Sequence, residues 1–184
     1  MSRITVLQPN EAPAASQAFM SQSLASNGFL PNLIGVLAHA PAALETYMTV
    51  GAINARTSLD LAEREVVQLV AARQHGCDFC LAGHAAVMLK KAGRERPVVK
   101  AIQAGTKSGE ARLDAVADFA RAVIATRGAV SDAAYQAFCS HGYGPQQALE
   151  VILGISLATL CNFANSLAGT DVNPQLQPYL PEKL

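Results

Sequence analysis

Charge of either sign is scarce in this sequence of 184 residues. Charged residues make up only 15% of it, whereas globular chains usually carry about 25%. The 14 basic and 14 acidic residues cancel, so the formal net charge is zero. Because no basic excess is available to neutralise phosphates, we expect no nucleic-acid partner and no binding to anionic membranes. A surface with so few charges favours contact between copies of the chain in a symmetric homo-oligomer.

Long apolar runs are also missing. No uninterrupted run reaches the roughly 18 residues needed to span a bilayer, and the nearest candidate, 148–161, contains Glu150. The first residues include one arginine and lack the apolar stretch of a secretory signal peptide. We therefore expect a cytoplasmic protein with no membrane partner. Thiols stay reduced in that compartment, so a close cysteine pair indicates catalysis or metal binding more than a structural disulfide.

Strand-like alternation, internal repeats and glycine-rich phosphate loops are absent as well. Tryptophan does not occur, aromatic residues make up 5% of the chain, and alanine, the strongest helix former, is abundant. With 51% hydrophobic residues, this composition predicts an all-α fold in which residues 1–184 form a single helical domain. Cap signals and periodicity predict helices over these approximate ranges: 11–26, 31–40, 41–55, 60–75, 77–91, 94–104, 113–126, 132–140 and 145–167.

Two of these helices form a central helical hairpin with a very short connection. Ser58 or Asp60 can cap the first helix, and Gly76 suits the position just after its end. The second helix begins at about Cys77, and the whole hairpin covers about residues 58–93.

The second helix of the hairpin carries two cysteines and a histidine. Cys77, Cys80 and His84 are spaced i, i+3 and i+7, which places them on one helical face. Cys77 lies at the helix start, where free N–H groups and the helix dipole favour a thiolate. An imidazole four residues beyond Cys80 can reach its sulfur or share a water with it. Two cysteines in a C-x-x-C at a helix start can also close into a disulfide with little backbone movement.

The first helix of the hairpin supplies a candidate base. Glu65 lies twelve residues before Cys77, on a stripe of otherwise uncharged residues that can face the second helix. A carboxylate on an apolar face is costly to desolvate and therefore requires a partner or a function. We interpret Glu65, the two cysteines and His84 as catalytic residues: nucleophile, resolving thiol and proton relay. The alternative is that Glu65 is an exposed carboxylate paired with Arg64 or Arg73.

Other interpretations of the C-x-x-C stay open at this point. A zinc site could use Cys77, Cys80 and His84, but three ligands suffice only for a catalytic zinc with bound water. Covalent haem attachment fails because Leu81, not histidine, follows Cys80. A thioredoxin fold fails because the chain has no βαβ pattern. His75 suits a contact with the C-terminus of the first helix and is only a secondary candidate.

The pattern E-x11-C-x2-C-x3-H, from Glu65 to His84, resembles the core motif of the alkylhydroperoxidase D-like (AhpD-like) family of the carboxymuconolactone decarboxylase superfamily. The all-helical pattern fits over about residues 30–170. The resemblance implies an oligomeric all-α protein, a trimer or hexamer, that reduces hydroperoxides with thiols and needs no metal or organic cofactor. It also implies that Cys80 attacks the peroxide, that the more open Cys77 resolves, and that Glu65 and His84 relay protons. A dithiol or disulfide-reductase partner would recycle the disulfide.

One position departs from that family pattern. The peroxidases resembled here carry a second histidine between the cysteines, whereas this chain has Phe79. The change removes one relay group and bears on substrate and rate more than on the redox pair. The same residues also fit a thiol–disulfide reductase or redox adaptor, or a decarboxylase- or lactonase-like enzyme that keeps the fold without the redox step. The decarboxylase branch lacks the cysteine pair, which favours the peroxidase-related branch.

Two amides recur in the most apolar helix. Asn162 and Asn165 are three positions apart there, and buried amides require hydrogen-bond partners. We interpret them as helix–helix or subunit contacts, with a place in the active-site pocket as the alternative. Cys139 and Cys161 have no partner at motif spacing and are interpreted as small core residues.

Overall fold

The computed structural model describes residues 2–182. Within that range it contains nine α-helices, one short 3-10 turn and no strand, which confirms the predicted all-α fold. The elements are α1 (Ala14–Asn27), α2 (Asn32–Leu37), α3 (Pro41–Asn54), α4 (Leu61–Gln74), α5 (Asp78–Lys90), α6 (Arg96–Ala104), α7 (Ala111–Thr126), α8 (Asp132–Cys139), α9 (Pro145–Ala168) and the 3-10 turn Gln177–Tyr179.

The start of α1 differs from the sequence prediction. Residues with helical composition begin at Glu11, but this carboxylate accepts a hydrogen bond from the Gln8 N–H at 2.8 Å and closes a turn there. Pro13 then occupies the N-cap, and the helix begins at Ala14. A local side-chain bond therefore delays the helix past residues that would otherwise extend it.

α4 lies at the centre of the fold, where it packs against α5, α7 and α9. A capping box fixes its start: the Asp60 carboxylate accepts the Glu63 N–H at 2.8 Å, and the Glu63 carboxylate accepts the Asp60 N–H at 2.9 Å. Gly76 follows its end with φ +69°, a conformation that favours glycine, and turns the chain directly into α5. The predicted hairpin is therefore α4–α5, with Asp60 rather than Ser58 as its cap.

α9 crosses α4 at a close contact centred on Gly154. A Cβ at this position would lie 3.0 Å from the Val67 Cγ1 atom, so a larger residue would push the helices apart. The Gln68 Nε2 atom donates to the Gly154 carbonyl at 2.9 Å in the same contact. This packing lets the second half of α9 reach the start of α5, where the cysteines lie.

The outer face of α9 is apolar and open. Leu149, Ile152, Phe163 and Leu167 are exposed there, Leu149 by 66%. By length and composition, α9 is the one helix within residues 2–182 that could cross a membrane, although 39% of its apolar window is buried in the fold. A core helix of a globular fold can have the same length and composition, so this helix does not contradict the sequence prediction that no segment spans a membrane.

Candidate active site

Both cysteines lie buried at the start of α5. Cys77 is the N-cap, and its Sγ atom accepts the Cys80 backbone N–H at 3.4 Å, as a serine oxygen does at other helix starts. Both thiols are free, and the two residues are only 3% and 4% exposed. The two residues are thus exposed to nearly the same small degree, and this exposure does not distinguish one sulfur from the other.

Glu65 and His84 form a hydrogen bond across the hairpin. The Glu65 Oε2 and His84 Nδ1 atoms lie 2.7 Å apart, with 12% and 29% of the side chains exposed. The alternative pairing of Glu65 with Arg64 or Arg73 is wrong, because both guanidinium groups bond to backbone carbonyls instead. The carboxylate occupies Nδ1, so Nε2 is the nitrogen left to exchange a proton with a ligand. Among the described residues, the imidazole makes no direct hydrogen bond to either sulfur.

Two amides of α9 contact the α4–α5 hairpin, and one of them reaches the cysteine pair. The Asn165 Nδ2 atom lies 3.7 Å from the Cys77 Sγ and 3.4 Å from the Cys80 Sγ, so one amide donates to both sulfurs. The Asn162 Oδ1 atom lies 3.0 Å from His75 Nδ1 at the end of α4. The sequence interpretation of a helix–helix contact thus holds for Asn162, while Asn165 contacts the redox pair itself. The position predicted for His75, at the C-terminal end of its helix, is confirmed.

The two thiols differ in acidity. The pKa of Cys77 is lowered to about 7, first by the hydrogen bond from the Cys80 thiol, which outweighs burial, and further by the Asn165 amide and the charge of His84. The pKa of Cys80 is raised well above its ordinary value, because its thiol donates to Cys77 and because it is buried. Cys77 therefore loses its proton first. From about pH 7 upward the pair carries one negative charge and retains one proton.

A cavity of about 930 Å³ opens beside the pair. Cys80 and His84 line it, whereas Cys77, Glu65 and Asn165 do not, so Cys80 is the sulfur that a molecule in the cavity would meet. The histidine that the family peroxidases carry between their cysteines is replaced here by the apolar ring of Phe79, which is part of the wall. The other apolar side chains of the wall include Phe29, Leu33, Ile34, Met48, Val87 and Leu176.

Tyr47 and Cys161 also line this cavity, and the sequence analysis missed both as site residues. Burial, followed by the negative charges of Cys161, Cys80 and Glu65, raises the pKa of Tyr47 far above its ordinary value, so its hydroxyl remains a donor. Burial also raises the pKa of Cys161 to about 12, in keeping with its interpretation as a small core residue. For Cys161, its i, i+4 spacing from Asn165 was the one sequence feature that could have indicated a place in the site. No sequence feature indicated Tyr47, which lies on α3.

The metal interpretation of the motif required His84 beside both sulfurs. No group of three or more His, Cys, Asp or Glu side chains within residues 2–182 is arranged to hold a metal ion. The imidazole is turned towards Glu65 instead. The residues present therefore do not form the three-ligand set that a catalytic zinc would need.

Comparison with known proteins agrees with this architecture. A solved structure of a peroxidase-related protein with an AhpD core, from Ralstonia eutropha JMP134, superposes with a TM-score of 0.86 at 20% identity, covering 100% of this chain and 97% of that one. Residues 41–122 match the model of the carboxymuconolactone decarboxylase family. The chain therefore has an AhpD-like fold, and its central segment matches the carboxymuconolactone decarboxylase family. The matched residues include the whole α4–α5 hairpin and all four predicted site residues.

Two further structures share the AhpD-like fold. A peroxidase-related protein from Silicibacter sp. TM1040 has a TM-score of 0.79 at 17% identity, covering 95% of this chain and 94% of that one. A cysteine-to-alanine variant of the debrominase Bmp8, in complex with 2,3,4-tribromopyrrole, has a TM-score of 0.81 at 16% identity, covering 100% and 98%. At such identities the likeness shows the fold alone. None of the curated protein sequences matches the chain.

Proposed function

We propose that this protein is a thiol peroxidase that reduces hydroperoxides through the Cys77–Cys80 pair. The proposal depends on a difference between the two sulfurs: Cys77 is the more acidic thiol, and Cys80 lines the cavity. The pair formed by Glu65 and His84 stands beside them as a proton relay. The match of residues 41–122 to the carboxymuconolactone decarboxylase family supports an enzymatic role in general.

The first step takes place at the cavity wall. The Cys80 sulfur attacks the terminal oxygen of the hydroperoxide while its proton passes to the Cys77 thiolate. The O–O bond breaks, Cys80 becomes a sulfenic acid, and the leaving alkoxide takes a proton from the Nε2 of a His84 imidazolium held by Glu65. The Tyr47 hydroxyl, which stays protonated, donates a hydrogen bond to the peroxide oxygen and orients it.

The second step closes the cysteine pair. The Cys77 thiol attacks the sulfenic sulfur of Cys80, water leaves, and a disulfide forms. An external dithiol or disulfide-reductase partner then restores both thiols by exchange, so the cycle needs a reducing compartment, which we take to be the cytoplasm. No metal or organic cofactor takes part. The Asn165 amide contacts both sulfurs and holds them close to each other through both steps.

Assembly into a homo-oligomer, a trimer or hexamer, is a further part of the proposal. The exposed apolar residues of α9 form a continuous face, and monomeric proteins rarely leave such a face open. A second copy of the chain would cover it. Light scattering on the eluted protein should show a mass several times that of the chain, and Leu149→Glu should reduce that mass.

A second candidate reaction is reductive dehalogenation of an aromatic compound. The shared fold with a debrominase, together with three aromatic rings in the cavity wall (Phe29, Tyr47 and Phe79), favours it. The same pair would supply the electrons: a halogenated substrate and two thiols would yield the hydrogenated product, a halide ion, a proton and the disulfide. Release of bromide from a bromopyrrole without consumption of hydroperoxide would favour this reaction.

The test of the peroxidase proposal is hydroperoxide consumption by the reduced protein with a dithiol as reductant. We expect wild type and Cys139→Ser to consume cumene hydroperoxide at equal rates, because Cys139 lies on α8 outside the site. Cys80→Ser should lose the activity. If wild type is no faster than Cys80→Ser, the peroxidase proposal fails. Retained reduction of a protein disulfide would then favour a redox adaptor, and turnover of an organic acid by Cys77→Ala would favour a decarboxylase-like enzyme.

A further inference from the structure

The cavity beside Cys80 has an uneven distribution of charge. Among the described residues that line it, the charged side chains apart from His84 are Lys90 and Lys91, and no aspartate or glutamate is present. Both lysines stand where α5 ends, at the opposite end of the helix from the cysteines. One end of the cavity is therefore cationic, and the other holds the redox pair.

A single helical face connects these two ends. Cys80, His84, Val87 and Lys91 follow one another at i, i+4, i+7 and i+11, and all four line the cavity. At the rise of an α-helix, eleven residues separate the Cα atoms of Cys80 and Lys91 by about 16 Å along the axis. Between the two ends the wall is mainly apolar. A ligand that contacted this helical face along its whole length would be long, apolar in the middle and negatively charged at the end near the lysines.

The two ammonium groups are free to meet such a charge. No ion pair within residues 2–182 involves Lys90 or Lys91. The Lys90 Nζ atom lies 4.9 Å from the centre of the Tyr179 ring, a cation–π contact that holds the side chain near the cavity mouth. Lysines in the last turn of a helix also complement its dipole, but that role does not require both of them to line a cavity.

We propose that this site takes hydroperoxides of long-chain carboxylic acids, with the carboxylate at Lys90 and Lys91 and the peroxy group at Cys80. The proposal rests on the peroxidase function above and names its substrate class. The apolar stretch between the two ends takes the acyl chain, and Phe79 provides an apolar wall next to the reacting sulfur. A neutral ester of the same acid would keep the apolar contacts and lose the ionic one.

The test compares linoleic acid hydroperoxide with its methyl ester on three forms of the full protein. These are the wild type, Lys90→Gln/Lys91→Gln, and a control, Lys100→Gln/Lys107→Gln, which removes the same charge away from this cavity. For the cavity variant we expect kcat/KM on the acid to fall about five- to tenfold, through KM, with the ester within about twofold of wild type. The control should match wild type on both, and added salt should narrow the difference between acid and ester.

Binding of unreactive linoleic acid separates this inference from the proposed function. We expect wild type to bind the acid more tightly than methyl linoleate, and the cavity variant to lose that preference, whether or not hydroperoxide is consumed. Binding without turnover would overturn the peroxidase function and leave the ligand class standing. Equal losses on acid and ester, or no loss on either, would overturn the ligand class.

Discussion

Two buried glutamates lie two residues apart on α4 and have opposite surroundings. The Glu63 carboxylate accepts the Tyr143 hydroxyl at 2.6 Å, the Arg112 guanidinium at 2.9 Å and the Asp60 N–H at 2.9 Å. Within residues 2–182, Glu65 has one side-chain hydrogen-bond partner, His84, which itself lines the cavity. A carboxylate surrounded by donors of its own fold holds that fold together, whereas one bonded to a single titratable group at a cavity can move a proton. Burial alone does not distinguish the two roles.

The largest effect expected from this comparison is on activity, at Glu65. Glu65→Gln keeps the volume of the side chain and removes its charge, so His84 loses the carboxylate that is bonded to its Nδ1 atom. We expect the rate of hydroperoxide reduction to fall about 100-fold or more, with little change in the free energy of unfolding. The measurement is single-turnover peroxide consumption together with a urea unfolding curve. An unchanged rate would remove Glu65 from the relay.

The reverse result is expected at Glu63. Glu63→Gln breaks the charged contact with Arg112 and weakens the capping box at Asp60, and we expect a loss of about 2–3 kcal/mol in the free energy of unfolding. The rate per folded molecule should stay close to wild type, because none of the partners of Glu63 (Asp60, Arg112 and Tyr143) lines the cavity. A strong loss of rate in a folded Glu63→Gln protein would erase the distinction between the two glutamates.

Asn165 gives a smaller effect within the redox pair. Asn165→Leu removes the amide that donates to both sulfurs, so we expect the pKa of Cys77 to rise from about 7 and peroxide reduction at neutral pH to fall several-fold. Ultraviolet absorbance of the thiolate, followed through a pH titration, measures the shift. Cys139→Ser provides the matched control, and a titration that coincides with wild type would show that the amide has no effect on the charge.

The smallest effect expected is a pH dependence of stability in the reduced protein. The pKa of Cys77 is lower in the folded protein, about 7, than its ordinary value of 9.0, so the unfolded chain binds more protons between these values. Stability should therefore rise by on the order of 1 kcal/mol from pH 7 to pH 9. Above pH 9 it should fall, because the pKa values of Cys80 and Cys161 are raised by folding.

Urea unfolding midpoints across this pH range test the dependence, with Cys77→Ser as the comparison. The rise between pH 7 and pH 9 should be absent in that variant, while the fall above pH 9 should remain. The same rise in both proteins would assign the effect to another group.

The helical fold could be predicted largely because its signals are local. The capping residue Asp60 and the turn at Gly76 act within a few positions of the chain, and the structure uses both as expected. The start of α1 was misplaced because the decisive bond from Gln8 to Glu11 is a side-chain contact that composition does not reveal.

The candidate site could be predicted only in part. The contact of Glu65 with His84 follows from two helices joined by a minimal turn, so spacing was enough to indicate it. The contacts of Tyr47 and Asn165 depend on how α3 and α9 pack against that hairpin, and no periodicity in the sequence encodes this packing. The use of Cys77 as a helix cap was missed for a similar reason, because it is a matter of backbone conformation.

The central claim is that one hydroperoxide converts Cys77 and Cys80 into a disulfide through a sulfenic acid on Cys80. The most direct measurement is mass spectrometry of the reduced protein after one equivalent of cumene hydroperoxide, in wild type and in Cys77→Ser. We predict a Cys77–Cys80 disulfide in wild type, and in the variant a sulfenic acid on Cys80 that a dione reagent traps. Two unmodified thiols in wild type after the peroxide has been added, or a sulfenic acid on any other cysteine, would contradict the account.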